Sequence, residues 1–234
     1  MNWLREVPKA FLREGELGTT RTILPFSQLR RGRTLTTLVD VMSTTTNDAA
    51  SGHFHAVRFY EDEQSLYQIA SDFIGDGLVA GQPAVVIATP LHRDGIARGL
   101  EALSCDVTRM RVSGQLLMLD ARETLLTFMK DGYPQPEAFH ESLARAIDSV
   151  RTGRPRVTVR AYGEMVDCLW KDGRSDAAIR LEVLWNELGT IRPFSLLCGY
   201  SVGNFYKHGA YEDICRQHTH VLSEGGHPTR IGVA

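Results

Sequence analysis

The stretch H-A-V-R-F-Y-E-D-E-Q-S-L-Y-Q-I-A-S-D-F-I-G-D-G-L-V-A-G-Q-P-A-V-V-I-A-T, residues 55–89, changes its period twice. H-A-V-R-F-Y alternates, the spacing of a strand with two unlike faces. Leu66, Ile69, Ala70, Phe73, Ile74 and Leu78 then recur at helical spacing. Pro83 opens P-A-V-V-I-A-T, a short β-branched run suited to a strand buried on both faces. Strand, helix and buried strand in succession are the repeating unit of a parallel α/β sheet.

The same reading extends outward. Pro90-Leu91 starts a second helix that reaches about Leu103. V-T-R-M-R-V (107–112) reads as a strand and L-L-M-L-D (116–120) as another. A-R-E-T-L-L-T-F-M-K-D-G (121–132) reads as a helix that stops at Gly132. Pro136 sits near the first turn of the next helix, where its missing N–H is harmless, and that helix runs to about Val150. P-R-V-T-V-R-A-Y-G-E (155–164) begins as a strand and turns into helix near Gly163. Ser175 is placed to cap a helix whose stripe is Ala178, Leu181, Leu184, Trp185 and Leu188. F-S-L-L-C-G-Y (194–200) is the last clear strand, and Y-E-D-I-C-R-Q-H-T-H-V-L (211–222) reads as the closing helix.

The expected fold is therefore α/β: a mostly parallel β-sheet flanked by helices, in a single domain over residues 53–222. Residues 1–52 carry scattered arginines and end in S-T-T-T-N-D-A-A-S-G, which reads as a disordered basic extension and linker. Met42 is an alternative start, which would leave residues 1–41 untranslated; the other reading is a basic arm touching a partner. Residues 223–234 read as a flexible tail.

A hydrophobic fraction of 43%, a charged fraction of 23% and a net charge of -2 are those of an ordinary soluble protein. They give no reason to expect nucleic acid or an anionic membrane as partner. No run has the length of a membrane-spanning helix, and M-N-W-L-R-E-V-P-K lacks the apolar core of a secretory signal, so a cytoplasmic location is expected. Cys105, Cys168, Cys198 and Cys215 are widely spaced, which favours buried free thiols over a disulfide framework.

The first strand-to-helix turn, F-Y-E-D-E-Q-S, has neither glycine nor lysine. A phosphate-binding loop needs glycines to bring backbone N–H groups to the phosphates, and a lysine as counter-charge. Glu61, Asp62 and Glu63 suit the helix dipole but repel a phosphate. There is no G-x-S-x-G and no H-E-x-x-H. Glu164 and Asp167, three apart, would share a helix face; paired acid–base work competes with Glu164 serving the helix start while Asp167 is solvated. His53 and His55 point to one side of a strand, and Cys215 and His218 to one side of a helix, which keeps open a metal or haem site. Structural histidine is the commoner outcome, and no residue is assigned to a metal.

Ligands of open α/β sheets bind beyond the carboxyl ends of the strands. Phe59 and Tyr60, then Tyr162 and Gly163, and finally Tyr200 stand at such ends. With Glu164 and Asn186 they would line a small, mostly apolar pocket. Trp170 and Trp185 occupy apolar stripes and are expected in the core.

H-A-V-R-F-Y-E-D, G-L-V-A-G-Q-P-A-V-V-I-A, Y-G-E-M-V-D-C-L-W, R-L-E-V-L-W-N-E-L and F-S-L-L-C-G-Y together resemble the MEDS domain, the methanogen/methylotroph DcmR sensory domain. The resemblance covers roughly residues 53–222 and implies a RecA/KaiC-like domain that has lost its phosphate-binding loop. It further implies a role in sensing small molecules, such as hydrocarbon derivatives, within signalling and transcriptional regulation. His55, Phe59, Tyr60 and Glu61 match its first motif. Gly163, Glu164, Trp170, Glu182, Trp185 and Asn186 match the later ones, and Cys198 and Tyr200 its last strand.

The resulting expectation is a non-enzymatic sensing domain without cofactor, binding a small, apolar organic ligand through His55, Phe59, Tyr60, Glu61, Tyr162, Gly163, Glu164, Asn186 and Tyr200. It would act through a protein partner, without direct nucleic acid or membrane, and could form a homo-oligomer. The alternatives are a degenerate RecA-like nucleotide-binding protein or ATPase using Asp120 and Glu164 with magnesium, and a metal or haem sensor.

Overall fold

Alternate residues of the central strands face two different helical layers. A computed structural model describes residues 54–154, 157–204, 211–223 and 227–231. The expected extension over residues 1–52 and half of the expected tail, residues 224–226 and 232–234, lie outside the described residues; the rest of that tail is not all irregular, since Pro228–Arg230 form a strand.

Among the described residues the main sheet has seven strands in the order β3-β2-β6-β7-β1-β8-β9. In chain order these are β1 (Phe54–Tyr60), β2 (Ala84–Ala88), β3 (Leu116–Asp120), β6 (Val159–Gly163), β7 (Phe194–Ser201), β8 (His220–Leu222) and β9 (Pro228–Arg230). All neighbours are parallel except β8 and β9, which pair antiparallel at one edge. The helices are α1 (Glu63–Val79), α2 (Pro90–Ala102), α3 (Val107–Val112), α4 (Ala121–Leu126), α5 (Pro136–Arg151), α6 (Met165–Lys171), α7 (Ser175–Ile191) and α8 (Tyr211–Cys215).

One face of the sheet offers Ala56, Tyr60, Val86, Tyr162 and Leu197 to the apolar sides of α1 and α2, including Leu66, Ile74, Ile96 and Leu100. The other offers Val57, Ile87, Ala161, Leu196, Cys198 and Tyr200 to α4, α5, α6 and α7. This is a three-layer α/β sandwich with the sheet in the middle. Each Leu, Ile or Trp buried in it, Trp185 being 1% exposed, stabilises the fold by about 1.5–3 kcal/mol. Trp170 and Trp185 are both core residues, as their stripes imply.

Local signals explain most boundaries. Asp62 caps α1 by accepting from the Ser65 N–H at 2.8 Å, and Pro90 opens α2 at the position where proline costs no hydrogen bond. Four expectations about individual elements fail. V-T-R-M-R-V is a helix, α3: Asp106 accepts from the Arg109 N–H, and only Val107 of the six is buried, so the apparent alternation covers no sheet. The helix expected to reach Gly132 stops at Leu126. Asp131 and Gly132 instead take positive φ (52° and 87°) and turn the hairpin β4 (Met129–Lys130) and β5 (Tyr133–Pro134), the D-G chemistry of a tight two-residue turn. Ser175 is the first residue of α7 and Arg174 its cap, without a side-chain cap bond. The closing helix ends at Cys215. His220–Leu222 then pair with β1, because the exposed edge of that strand gives their backbone a ladder to join. Pro228 stands in the outermost strand, where a missing N–H is tolerated.

Candidate functional site

In a sheet of this order, ligands bind where neighbouring connections leave in opposite directions. That point falls between β2 and β6: β2 connects outward to β3, while β6 connects back toward β7. Glu164 stands there, immediately beyond β6, and only 1% of it is exposed. Its Oε1 accepts the Thr89 N–H at 2.5 Å, at the carboxyl end of β2, and its Oε2 lies 2.5 Å from His92 Nδ1 on α2. A carboxylate only accepts, so that ring nitrogen carries the proton. The Tyr162 hydroxyl donates to the same Oε2 at 3.3 Å. One buried carboxylate thus spans the crevice at the switch point.

Asp167, three residues on, is buried rather than solvated. It accepts from the Tyr60 hydroxyl (3.2 Å) and the Ser201 N–H (3.0 Å), and pairs with Lys171 Nζ at 2.7 Å. Burial, then the nearby carboxylates, push the Tyr60 and Tyr162 phenols well above their usual range, so both remain proton donors. Burial lowers the affinity of Lys171 for its proton, but the bond to Asp167 outweighs it and the ammonium is retained.

Gly163 ends β6 in register with Cys198 of β7. It is buried, yet a Cβ built on it would meet no heavy atom within 4 Å beyond its chain neighbours. Gly199, one strand over, is the opposite case: a Cβ there would come to 2.6 Å from the Tyr162 hydroxyl. The second glycine is a packing requirement and the first leaves space.

On the other face of the sheet, α7 lays Glu182 and Asn186, one turn apart, against the His55 ring of β1. His55 Nδ1 is 2.8 Å from Asn186 Oδ1 and Nε2 is 3.2 Å from Glu182 Oε2. Asn186 donates its amide to the Gln217 carbonyl at 2.9 Å, which fixes Oδ1 toward His55. The Tyr200 hydroxyl donates to Glu182 Oε1 at 2.8 Å, and Cys198 Sγ and His218 Nε2 approach the same carboxylate at 3.5 and 3.4 Å. Burial alone would raise the Glu182 carboxyl, but the His218 and His55 rings hold it well below the usual carboxylate range. Burial and then the neighbouring His218 ring lower His55.

The expected site residues therefore fall into two groups. Tyr60, Tyr162, Gly163 and Glu164 gather at the β2/β6 switch point or beside it. His55, Asn186 and Tyr200 gather around Glu182, with Phe59 stacked on Tyr200 at 6.0 Å between ring centroids. Glu61 is exposed at the start of the turn before α1. Sequence reasoning left out His92 and gave Glu182 no place in the site. The signal for Glu182 was present: a charge between Leu181 and Leu184 inside an apolar stripe. Nothing local to His92 points to Glu164, 72 positions away. Of the residues considered for metal, His55 and His218 do meet, with ring centroids 4.2 Å apart. Cys215 is not among the donors grouped with them, and His53 lies outside the described residues. Asp120 caps α4 through the Arg122 and Glu123 N–H groups and pairs with Arg93 at 3.4 Å.

A parallel three-layer α/β domain with a buried carboxylate at its switch point, and an acidic first turn in place of a phosphate loop, defines the class. The chain belongs to the MEDS family, the MEthanogen/methylotroph, DcmR Sensory domain, whose sequence profile matches residues 54–219. The domain is thus a sensory one by family. No curated protein matches it in sequence. Among solved structures it is similar to a KaiC-like protein from the hyperthermophilic archaeon Pyrococcus horikoshii OT3. That likeness has 13% identity and a TM-score of 0.47, over 71% of this chain and 70% of the other. No helix among the described residues is long and apolar enough to cross a membrane.

Proposed function

We propose that this chain is a non-enzymatic, small-molecule-sensing domain of a signalling pathway. It takes a small, mostly apolar organic ligand at the carboxyl edge of the sheet beside Gly163. The observation that carries the reading is the unfilled space at that buried glycine, next to the Glu164 carboxylate that ties β2 to β6. Buried aromatic residues (Tyr60, Tyr162) beside buried carboxylates (Glu164, Asp167) are a make-up suited to a small-molecule site. Because Glu164 holds both Thr89 and His92, displacement of its side chain would loosen the β2–α2 turn, a change that a contacting protein can read. Binding alone has no output, so the readout is that contact.

The test is a thermal-shift panel of short alcohols, haloalkanes and small aromatic compounds on the wild-type protein and on Gly163→Leu. A panel member that raises the wild-type melting temperature and leaves the variant unmoved supports the site. No shift with any member, or equal shifts in both proteins, overturns it. Magnesium-dependent ATP binding in a calorimeter would replace the reading with a nucleotide-binding one.

A further inference from the structure

Four donor atoms from four separate elements converge between the sheet and α7. One ring nitrogen each of His55 (β1) and His218 (the segment after α8), a Glu182 oxygen from α7 and Cys198 Sγ from β7 lie with no pair more than 4.8 Å apart, and all four residues are buried. We propose that they form a tetrahedral site for one divalent d-block cation, zinc foremost.

The geometry is that of such a site before closure. Zinc bonds of about 2.0–2.3 Å set tetrahedral ligands about 3.3–3.8 Å apart. Three contacts around Glu182 Oε2 already lie at or near that spacing: His55 to Glu182 at 3.2 Å, His55 to Cys198 at 3.4 Å and Cys198 to Glu182 at 3.5 Å, while His218 Nε2 lies 3.4 Å from the other oxygen, Oε1. A pair at the 4.8 Å limit needs to close by only about 1 Å.

The outer contacts orient the donors correctly. The Ile214 carbonyl, 2.7 Å from His218 Nδ1, can only accept, so the ring proton sits on Nδ1 and the Nε2 lone pair faces Glu182. That Nε2 is buried and makes no hydrogen bond among the described residues. Asn186 Oδ1 fixes the same tautomer on His55. Tyr200 holds Glu182 through Oε1, leaving Oε2 toward His55 and Cys198. Two imidazole lone pairs and a carboxylate that face one another need a cation between them. A proton on one ring satisfies a single contact, whereas a metal satisfies all four.

Charge and chemistry agree. One thiolate, one carboxylate and two neutral imidazoles carry a charge of -2, so a divalent ion makes the buried set neutral and removes the cost of an isolated interior charge. Binding releases the Cys198 proton to solvent, since the thiolate is the ligand. Mixed nitrogen, sulfur and oxygen donors favour zinc, cobalt or iron(II) over magnesium or calcium. The inference does not rest on the ligand reading above: metal content is measured without any organic ligand.

The experiment is reconstitution of the reduced, purified chain with zinc, and separately with cobalt(II). Metal is counted by elemental analysis after dialysis against a weak chelator, and the cobalt form is read by absorption. The proposal expects one equivalent per chain, tetrahedral d–d bands and a near-ultraviolet sulfur-to-cobalt band. That band disappears in Cys198→Ser, stoichiometry falls at least tenfold in His218→Ala, and Cys215→Ser matches wild type. Less than a tenth of an equivalent on the wild-type chain overturns the site and leaves a proton as the cation. A sulfur-to-cobalt band that survives Cys198→Ser but not Cys215→Ser overturns it as well. Should His218→Ala fail to fold, the wild-type stoichiometry and the Cys198→Ser spectrum decide.

Discussion

Glu182 of α7 and His55 of β1 stand 3.2 Å apart with neither side chain exposed, and they join a helix to the middle of the sheet. Removing one member of such a buried pair leaves the other without compensation, which typically costs about 3–5 kcal/mol. Glu182→Ala is therefore expected to lose stability on that scale in urea denaturation, with little change in m-value. A loss below about 1 kcal/mol would show that the pair contributes no more than a surface contact.

The two glycines at the strand ends predict opposite outcomes. Gly199→Ala drives a methyl group to 2.6 Å from the Tyr162 hydroxyl, an overpacking that costs about 1–3 kcal/mol. Gly163→Ala meets nothing and should be within about 0.5 kcal/mol of wild type. Tyr162→Phe in the Gly199→Ala background removes the closest atom and should recover part of the loss, which a double-mutant cycle measures.

Glu164 is the acceptor of the Thr89 N–H at 2.5 Å, so that amide is protected by a side chain rather than by the sheet ladder. Glu164→Ala should accelerate hydrogen exchange at Thr89 at least tenfold while leaving Val85 and Val86, inside β2, unchanged. Uniform acceleration along β2 would mean that the carboxylate supports the whole strand and not the turn.

Thiol chemistry separates the cysteines. Burial, then the Glu164 charge, push the Cys168 thiol up to about 12, and burial raises Cys105 and Cys198 as well. Cys215 is the half-buried one. At about pH 8 in native buffer a thiol reagent should modify Cys215 first and the other three only on unfolding, because the thiolate is the reactive form.

On the surface, Arg122 donates two hydrogen bonds to the Asp172 carboxylate at 2.9 and 3.2 Å and holds it below its ordinary range. A depressed carboxyl contributes stability above its unfolded value, and that contribution disappears as pH falls through the folded value. The partners are 55% and 40% exposed, so the amount is below about 1 kcal/mol. Arg122→Ala should cost that amount at neutral pH and nothing at pH values acidic enough to protonate Asp172.

Much of this architecture was legible because the chain alternates two periods. β1, α1, β2, α2, α5, β6 and β7 all lie where the pattern of apolar residues put them. Two of the failures share one cause: short elements are decided by their neighbours. Val107–Val112 has a strand-like composition, but a capping Asp106 and a lack of sheet to join make it helical. His220–Leu222 looks helical, but β1 supplies a partner. The site divides in the same way. Tyr162, Gly163 and Glu164 announce themselves as a strand end, whereas His92 and His218 reach their partners only through long-range packing. Alternation along β1 and β7 also sends Tyr60 and Tyr200 to opposite faces, which is why one expected pocket becomes two groups of residues.

The position of β1 has a consequence for synthesis. Phe54 pairs with Ser195, 141 positions later, and Ala56 pairs with His220, later still. At roughly 5–20 residues per second, a ribosome takes on the order of ten seconds to deliver the first of these neighbours after β1 has emerged. For that interval an apolar strand has both edges open and neither permanent partner in existence. The β7-β1-β8-β9 side of the sheet is thus assembled last, and the growing chain is a ready target for chaperones that hold unpaired strands.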